Sequence, residues 1–108
     1  MKDNVKGGAL TEVTFLILLA FYTPRHGYAV MQFIEDKTGG RLTLGAGTLY
    51  GAITTLLQKG WIEPSGEDDD RRKVYVITDL GKEIAVREKQ RIEKINAVAS
   101  EIMGGEGT

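Results

Sequence analysis

From Thr78 to the glycines at 104 and 105 the sequence reads as one helix, longer than the domain that 108 residues can build around it. Thr78-Asp79 is a strong helix start: a hydroxyl that can accept from an orphan amide, then an acid in the first turn. A run of about 25 residues, ending near Met103, makes a rod of about 37 Å. A compact domain of this size has a radius of gyration near 13 Å, so the rod must overhang. Leu80 and Ile84 are placed to rest on the domain, and residues 87–91 are polar. Beyond them Ile92, Ile95, Ala99 and Ile102 recur at three-four-three spacing, the seam of a coiled coil. An apolar seam on an overhanging helix calls for a second chain, which predicts a homodimer.

The second constraint is the stretch TLGAGTLYGAITTLLQKGWI, from Thr43 to Ile62. Leu49, Ile53, Leu56 and Leu57 fall on one side at helical spacing and face a core. The other side carries Thr48, Gly51, Thr54, Thr55 and Gln58, and no Lys, Arg, Asp or Glu. A solvated helix face usually collects charge; this one offers hydroxyls and bare backbone, and can approach another surface closely. Lys59-Gly60 supplies a cation for the last turn and a stop. Then come a strand-like run from Trp61 to Glu67 with Pro64 at an edge position, an acidic turn Asp68-Asp69-Asp70, a basic cluster Arg71-Arg72-Lys73 and a return strand ending at Ile77. A helix followed by a hairpin with a basic arm is the order of a winged helix-turn-helix, a DNA-reading module. The predicted fold class is mainly α with a small β-hairpin.

Composition excludes several alternatives. There is no cysteine, so no disulfide or thiolate site, and a single His leaves no multi-histidine metal centre. His26 has no companion ligand or base. The Gly45-Ala46-Gly47 start is not a dinucleotide fingerprint, because what precedes it is helical and the glycine spacing is wrong. The three consecutive aspartates lack the alternation of a calcium loop. No cofactor, metal or catalytic residue is expected. The longest apolar run, Phe15 to Tyr22, is too short to cross a bilayer and follows no basic leader, so a cytoplasmic protein without membrane attachment is expected. The net charge of −1 does not by itself advertise a nucleic-acid partner; only a local basic patch could serve.

Toward the N-terminus, residues 1–8 are expected to fray. Thr11 caps a first helix that runs to about Tyr22. Its segment FLILLAFY is apolar all round, which needs partners on every side. Either it is deeply buried within one protomer, or one face, with Phe15, Leu18, Leu19 and Tyr22, meets a partner subunit; small domains have few fully buried helices, which favours the partner. Thr23-Pro24 ends this helix. A second opens at His26-Gly27-Tyr28, with Tyr28, Met31, Phe33 and Ile34 as apolar positions, and closes at Gly39-Gly40. Residues 41–44 form an extended link that can pair with the hairpin as a third strand. Residues 9–78 are thus read as the winged helix-turn-helix, 79–103 as the dimerisation helix and 104–108 as a tail.

These residues resemble the PadR family of bacterial transcriptional regulators, in its short form. The likeness covers nearly the whole chain. His26-Gly27-Tyr28 is similar to the family's second-helix start, and Gly47-Thr48-Leu49-Tyr50 to the motif opening its recognition helix. Gly60-Trp61-Ile62, Arg71-Arg72-Lys73, Tyr75, Thr78 and Gly81 are similar to the wing and the start of its last helix. Two features depart from the family. Ala46 and Gly51 stand where many members have proline, and the last helix has no aromatic, whereas multidrug-sensing members stack drugs on one there. The resemblance implies a homodimeric DNA-binding regulator, most often a repressor, with an effector possible. The expected DNA contacts are Gly47, Thr48, Tyr50, Gly51, Thr54, Thr55, Arg71, Arg72 and Lys73; the expected dimer contacts are Phe15, Leu18, Leu19, Tyr22, Ile92, Ile95, Ala99 and Ile102. The alternative from the residues alone is a winged-helix protein-interaction module without specific DNA binding.

Overall fold

Thr11 begins the first helix as its sequence implies: its hydroxyl accepts from the Thr14 amide at 3.1 Å, satisfying one of the orphan donors of the first turn. The structure, a computed structural model, describes residues 8–66 and 73–104. Helix α1 spans Glu12–Ala20, shorter than expected because Phe21 closes it as C-cap. Pro24 then forces extended backbone, and Arg25–His26 forms a short strand, β1. Helices α2 (Gly27–Lys37) and α3 (Ala46–Lys59) follow, then strands β2 (Ile62–Pro64) and β3 (Val74–Ile77), and finally α4 (Asp79–Met103). No helix among the described residues is long and apolar enough to cross a membrane.

The sheet is three-stranded and antiparallel in the order β1-β3-β2. The third strand is therefore Arg25–His26, in register with Tyr75 and Val74, and not the link at 41–44. That link is held otherwise. The Thr38 hydroxyl accepts from the Leu42 amide at 3.2 Å, and the Arg41 guanidinium pairs with the Glu12 carboxylate. Pro64 lies on the edge strand β2, where a missing amide breaks no ladder bond.

The core is built by α1, α2, α3 and the sheet. Ile17, Leu18, Phe21, Val30, Ile34, Leu49 and Leu56 are essentially inaccessible, each contributing about 1.5–3 kcal/mol by burial. Helix α1 touches α2, α3 and α4, so more of its surface is enclosed within one protomer than its length and the small domain suggest. This corrects one expected dimer contact: Leu18 is wholly enclosed and has no surface for a partner. Phe15 and Leu19 are partly covered and Tyr22 is exposed. The expected apolar role of Tyr28 is also corrected, because it is 62% exposed while Val30 and Ile34 carry the buried face of α2.

The joint between α3, the sheet and α4 is tight. Gly60 ends α3 at φ 75°, a left-handed cap that residues with a Cβ adopt at a cost. The Trp61 amide reaches back to the Leu56 carbonyl at 3.0 Å. The Thr78 hydroxyl donates to the Gly60 carbonyl at 2.7 Å and accepts from the Gly81 amide at 3.0 Å. At Gly81 there is no room for a Cβ, which would meet the Trp61 carbonyl and come 2.7 Å from the Ile77 side chain. The dimension of the molecule along its longest axis, 56 Å against 28 and 22 Å, reflects α4 running past the domain.

On α4 the residues buried against the domain are Gly81, Ala85 and Glu88. Leu80, expected there, is exposed, and Ile84 is only partly covered. Glu88 is 3% exposed and lies within the run read as polar. It accepts from Arg91 Nε at 2.9 Å and from the Leu10 amide at 3.4 Å, tying the start of the described chain to α4. The hydrogen bond from Arg91 holds its carboxyl below the ordinary carboxylate range; burial opposes this, and the Leu10 amide assists. The stabilisation is whole above the unfolded value of 4.5 and is lost as pH falls through the lower folded value. Glu88→Gln is expected to cost about 1–2 kcal/mol near neutrality. In urea denaturation the gap between the two proteins should narrow as pH falls below 4.5.

Candidate nucleic-acid interface

Helix α3 divides cleanly into two sides. Leu49, Ala52, Ile53 and Leu56 are buried, and Leu57 is partly covered. Gly47, Thr48, Tyr50, Gly51, Thr54 and Gln58 are exposed, while Thr55 is half-buried at the flank. At 3.6 residues per turn, Gly47, Gly51, Thr54 and Gln58 run along the centre of the outward side, with Thr48 and Thr55 to one flank and Tyr50 to the other. The two glycines leave the helix backbone bare along this line. A polynucleotide can therefore approach it more closely than it could approach a helix covered in long side chains.

The hydroxyls differ in what they have free. Thr54 donates to the Tyr50 carbonyl at 3.0 Å and Thr55 to the Gly51 carbonyl at 3.2 Å. Their hydrogens are used within the helix, so each presents an acceptor and a methyl outward. Thr48 has no partner among the described residues and can still donate. A methyl beside a thymine methyl, and a free hydroxyl beside a base edge, are the contacts that distinguish base pairs in a major groove. The helix start adds exposed amides, since the N-cap Gly45 provides no side-chain bond.

The outward face of α3 itself carries no cation. Lys59, in the last turn of α3, sits over the Trp61 ring at 5.1 Å, and Arg25 over the Phe33 ring at 4.6 Å. Lys73 is exposed immediately before β3. Arg71 and Arg72, and the acidic turn at 68–70, lie outside the described residues.

One residue that sequence reasoning did not assign to this face packs against it. Gly27 opens α2 and lies buried beneath the Tyr50 ring, and Tyr28, next in the chain, is exposed. The signal for Gly27 was a glycine at a helix start with no turn to require it. Apolar spacing placed Tyr28 in the core because a tyrosine satisfies that pattern whether or not it is buried.

A winged helix-turn-helix with an uncharged outward side on α3 and a long overhanging C-terminal helix is an architecture found among DNA-binding regulators. The transcriptional regulator PadR-like family matches residues 15–87, and the chain belongs to that family. The family is non-enzymatic, and membership implies DNA binding. The chain is also 36% identical over 86 residues to an uncharacterized 37.1 kDa protein in transposon TN4556 of Streptomyces fradiae; the match covers 79% of this chain and 24% of that protein. The chain thus spans about a quarter of the length of the curated relative it matches. Among solved structures it is similar to a transcriptional regulator from Clostridium thermocellum, with a TM-score of 0.73 at 26% identity over 82% of this chain and 87% of that one. It shares its fold with a PadR family transcriptional regulator from Eggerthella lenta, with a TM-score of 0.72 at 20% identity over 84% and 80% of the two chains.

Proposed function

We propose that the chain is a homodimeric repressor that binds a pseudo-palindromic operator, with residues 9–78 reading DNA and 79–103 holding the dimer. The observation that carries the DNA reading is the outward side of α3: exposed along two turns, free of charge, and rigidly backed by buried Leu49, Ile53 and Leu56. In this reading Thr48, Thr54 and Thr55 face base edges, and Gly47, Gly51 and Tyr50 lie against the sugar-phosphate backbone. Arg71, Arg72 and Lys73 reach flanking phosphate.

The dimer reading rests on the phase of α4. Gly81, Ala85, Glu88, Ile92, Ile95, Ala99 and Ile102 follow one another at alternating steps of four and three, a single heptad stripe. Its first three members are buried by the domain, whereas Ile92, Ile95 and Ile102 are 43%, 53% and 74% exposed. The stripe that the domain covers at one end continues uncovered at the other, which suits a second copy of α4, with Phe15, Leu19 and Tyr22 beside it. A two-fold dimer of this kind sets two α3 helices about 34 Å apart, in successive major grooves. An effector seated between α1 and α4 of the two subunits would act by preferring one spacing of those helices.

The test is binding of the purified chain to genomic fragments across a range of salt. Specific fragments should be retained at salt that releases random DNA. Thr48→Val, which keeps the shape and removes the hydroxyl, should lower the preference for the selected fragment by about 1 kcal/mol or more. It should leave the salt slope and melting temperature unchanged, since Thr48 is exposed. Equal preference in both proteins would remove Thr48 from the reading face.

A further inference from the structure

We propose that Gly27 is a positioning residue for DNA reading: its missing side chain is the seat of the Tyr50 ring, and that contact holds the first turn of the reading helix in place. The proposal rests on the DNA-binding reading above.

Gly27 is not there for a turn. The positive-φ glycines among the described residues are Gly8, Gly39, Gly40, Gly60 and Gly66, so its backbone is one that any residue adopts. What it lacks is room. A Cβ at Gly27 would lie 2.6 Å from Tyr50 Oη, 2.8 Å from Cζ and 2.9 Å from Cε1. All three are atoms of one flat ring, which can yield only by turning away as a unit. Gly27 is buried under this ring, and Tyr50, 49% exposed, covers it with one side while keeping the other in solvent.

The first turn of α3 needs such a hold. Its N-cap is Gly45, with no side-chain bond, and Gly47 and Gly51 lie within its first six residues. Each helical glycine costs about 1 kcal/mol relative to alanine, so this end of the helix is intrinsically prone to fray. The same glycines clear the surface that approaches DNA, so replacing them is not an available remedy. Leu49 anchors one side of the turn in the core. Tyr50, packed on the start of α2, anchors another. Thr48 precedes this pair, and the Thr54 hydroxyl is bonded to the Tyr50 carbonyl. Pinning Tyr50 therefore fixes two of the proposed base-reading hydroxyls before DNA arrives, and ordering that is already complete is not charged against binding.

The test uses the full chain, an operator duplex selected from genomic fragments, and a random duplex of equal length. Gly27→Ala should lower the preference for operator over random DNA about tenfold and leave the salt slope intact. Tyr50→Ala should lower the same preference. Gly27→Ala/Tyr50→Ala should be no worse than Tyr50→Ala alone, because the three atoms nearest the added methyl are then gone. Independent, multiplying losses would overturn the proposal. So would a Tyr50→Ala protein that weakens on operator and random DNA by the same factor, the behaviour of a residue that touches the sugar-phosphate backbone and positions nothing. Should Gly27→Ala fail to fold alone, Tyr50→Ala and the double variant still decide. A wild-type chain that selects no DNA sinks the function proposed above and this proposal with it, whereas multiplying losses on a wild type that does select DNA sink this proposal only.

Discussion

Ending the chain after Arg91 is expected to abolish the dimer and lower operator affinity by about a hundredfold or more. The cut removes Ile92, Ile95, Ala99 and Ile102 but none of the residues that α4 buries against its own domain, Gly81, Ala85 and Glu88. It also leaves Arg91, which holds the Glu88 carboxylate. The truncated protomer therefore keeps its core, and the loss of affinity has a definite origin: two half-sites are no longer bound by one molecule, so the second contact loses its high effective concentration. Light scattering should give the mass of one chain. A tight dimer after truncation would mean that Phe15, Leu19 and Tyr22 suffice for the interface and that the exposed stripe on α4 has another role.

The second large effect is expected from the wing. Because the outward side of α3 carries no cation, phosphate must be met elsewhere, and Arg71, Arg72 and Lys73 are the concentrated basic group in the chain. Two copies of three bases would make about six contacts and a salt slope near −5. Replacing all three with alanine should weaken operator and random DNA alike, by about a thousandfold at low salt, and remove most of that slope. Arg72→Ala alone should flatten it by about one to two units. Titrations at four or five salt concentrations measure both. An unchanged slope would mean that the wing does not touch DNA.

The helices were legible where residue chemistry is local. Thr11 and Thr78 each act as the N-cap their sequence context suggests, and the buried side of α3 follows from Leu49, Ile53 and Leu56. The overhang of α4 follows from its length alone. What was not legible depends on neighbours distant in the chain. A uniformly apolar helix such as α1 has no phase, so nothing in FLILLAFY distinguishes enclosed Leu18 from partly covered Leu19. Two residues make too short a strand to show alternation, and β1 is defined only by its pairing with Tyr75 and Val74. Glu88 looked like one charge among several; its burial depends on the Leu10 amide, 78 positions away, and on its place in the heptad stripe. Likewise, Gly27 explains itself only once Tyr50 is seen lying on it. The outward side of α3 was readable as a chemical oddity, a helix face without charge, before anything placed it on a surface.

The most direct test of the central claim is a footprint of the intact protein on DNA that it has itself selected from genomic fragments, with the bound mass measured on the same duplex. Two protected half-sites in inverted order are expected, about 10 base pairs apart centre to centre on one face of the duplex, with two chains bound. Retention that shows no sequence preference over random DNA at any salt, or a single half-site bound by one chain, would contradict that claim and favour a winged helix that docks protein instead.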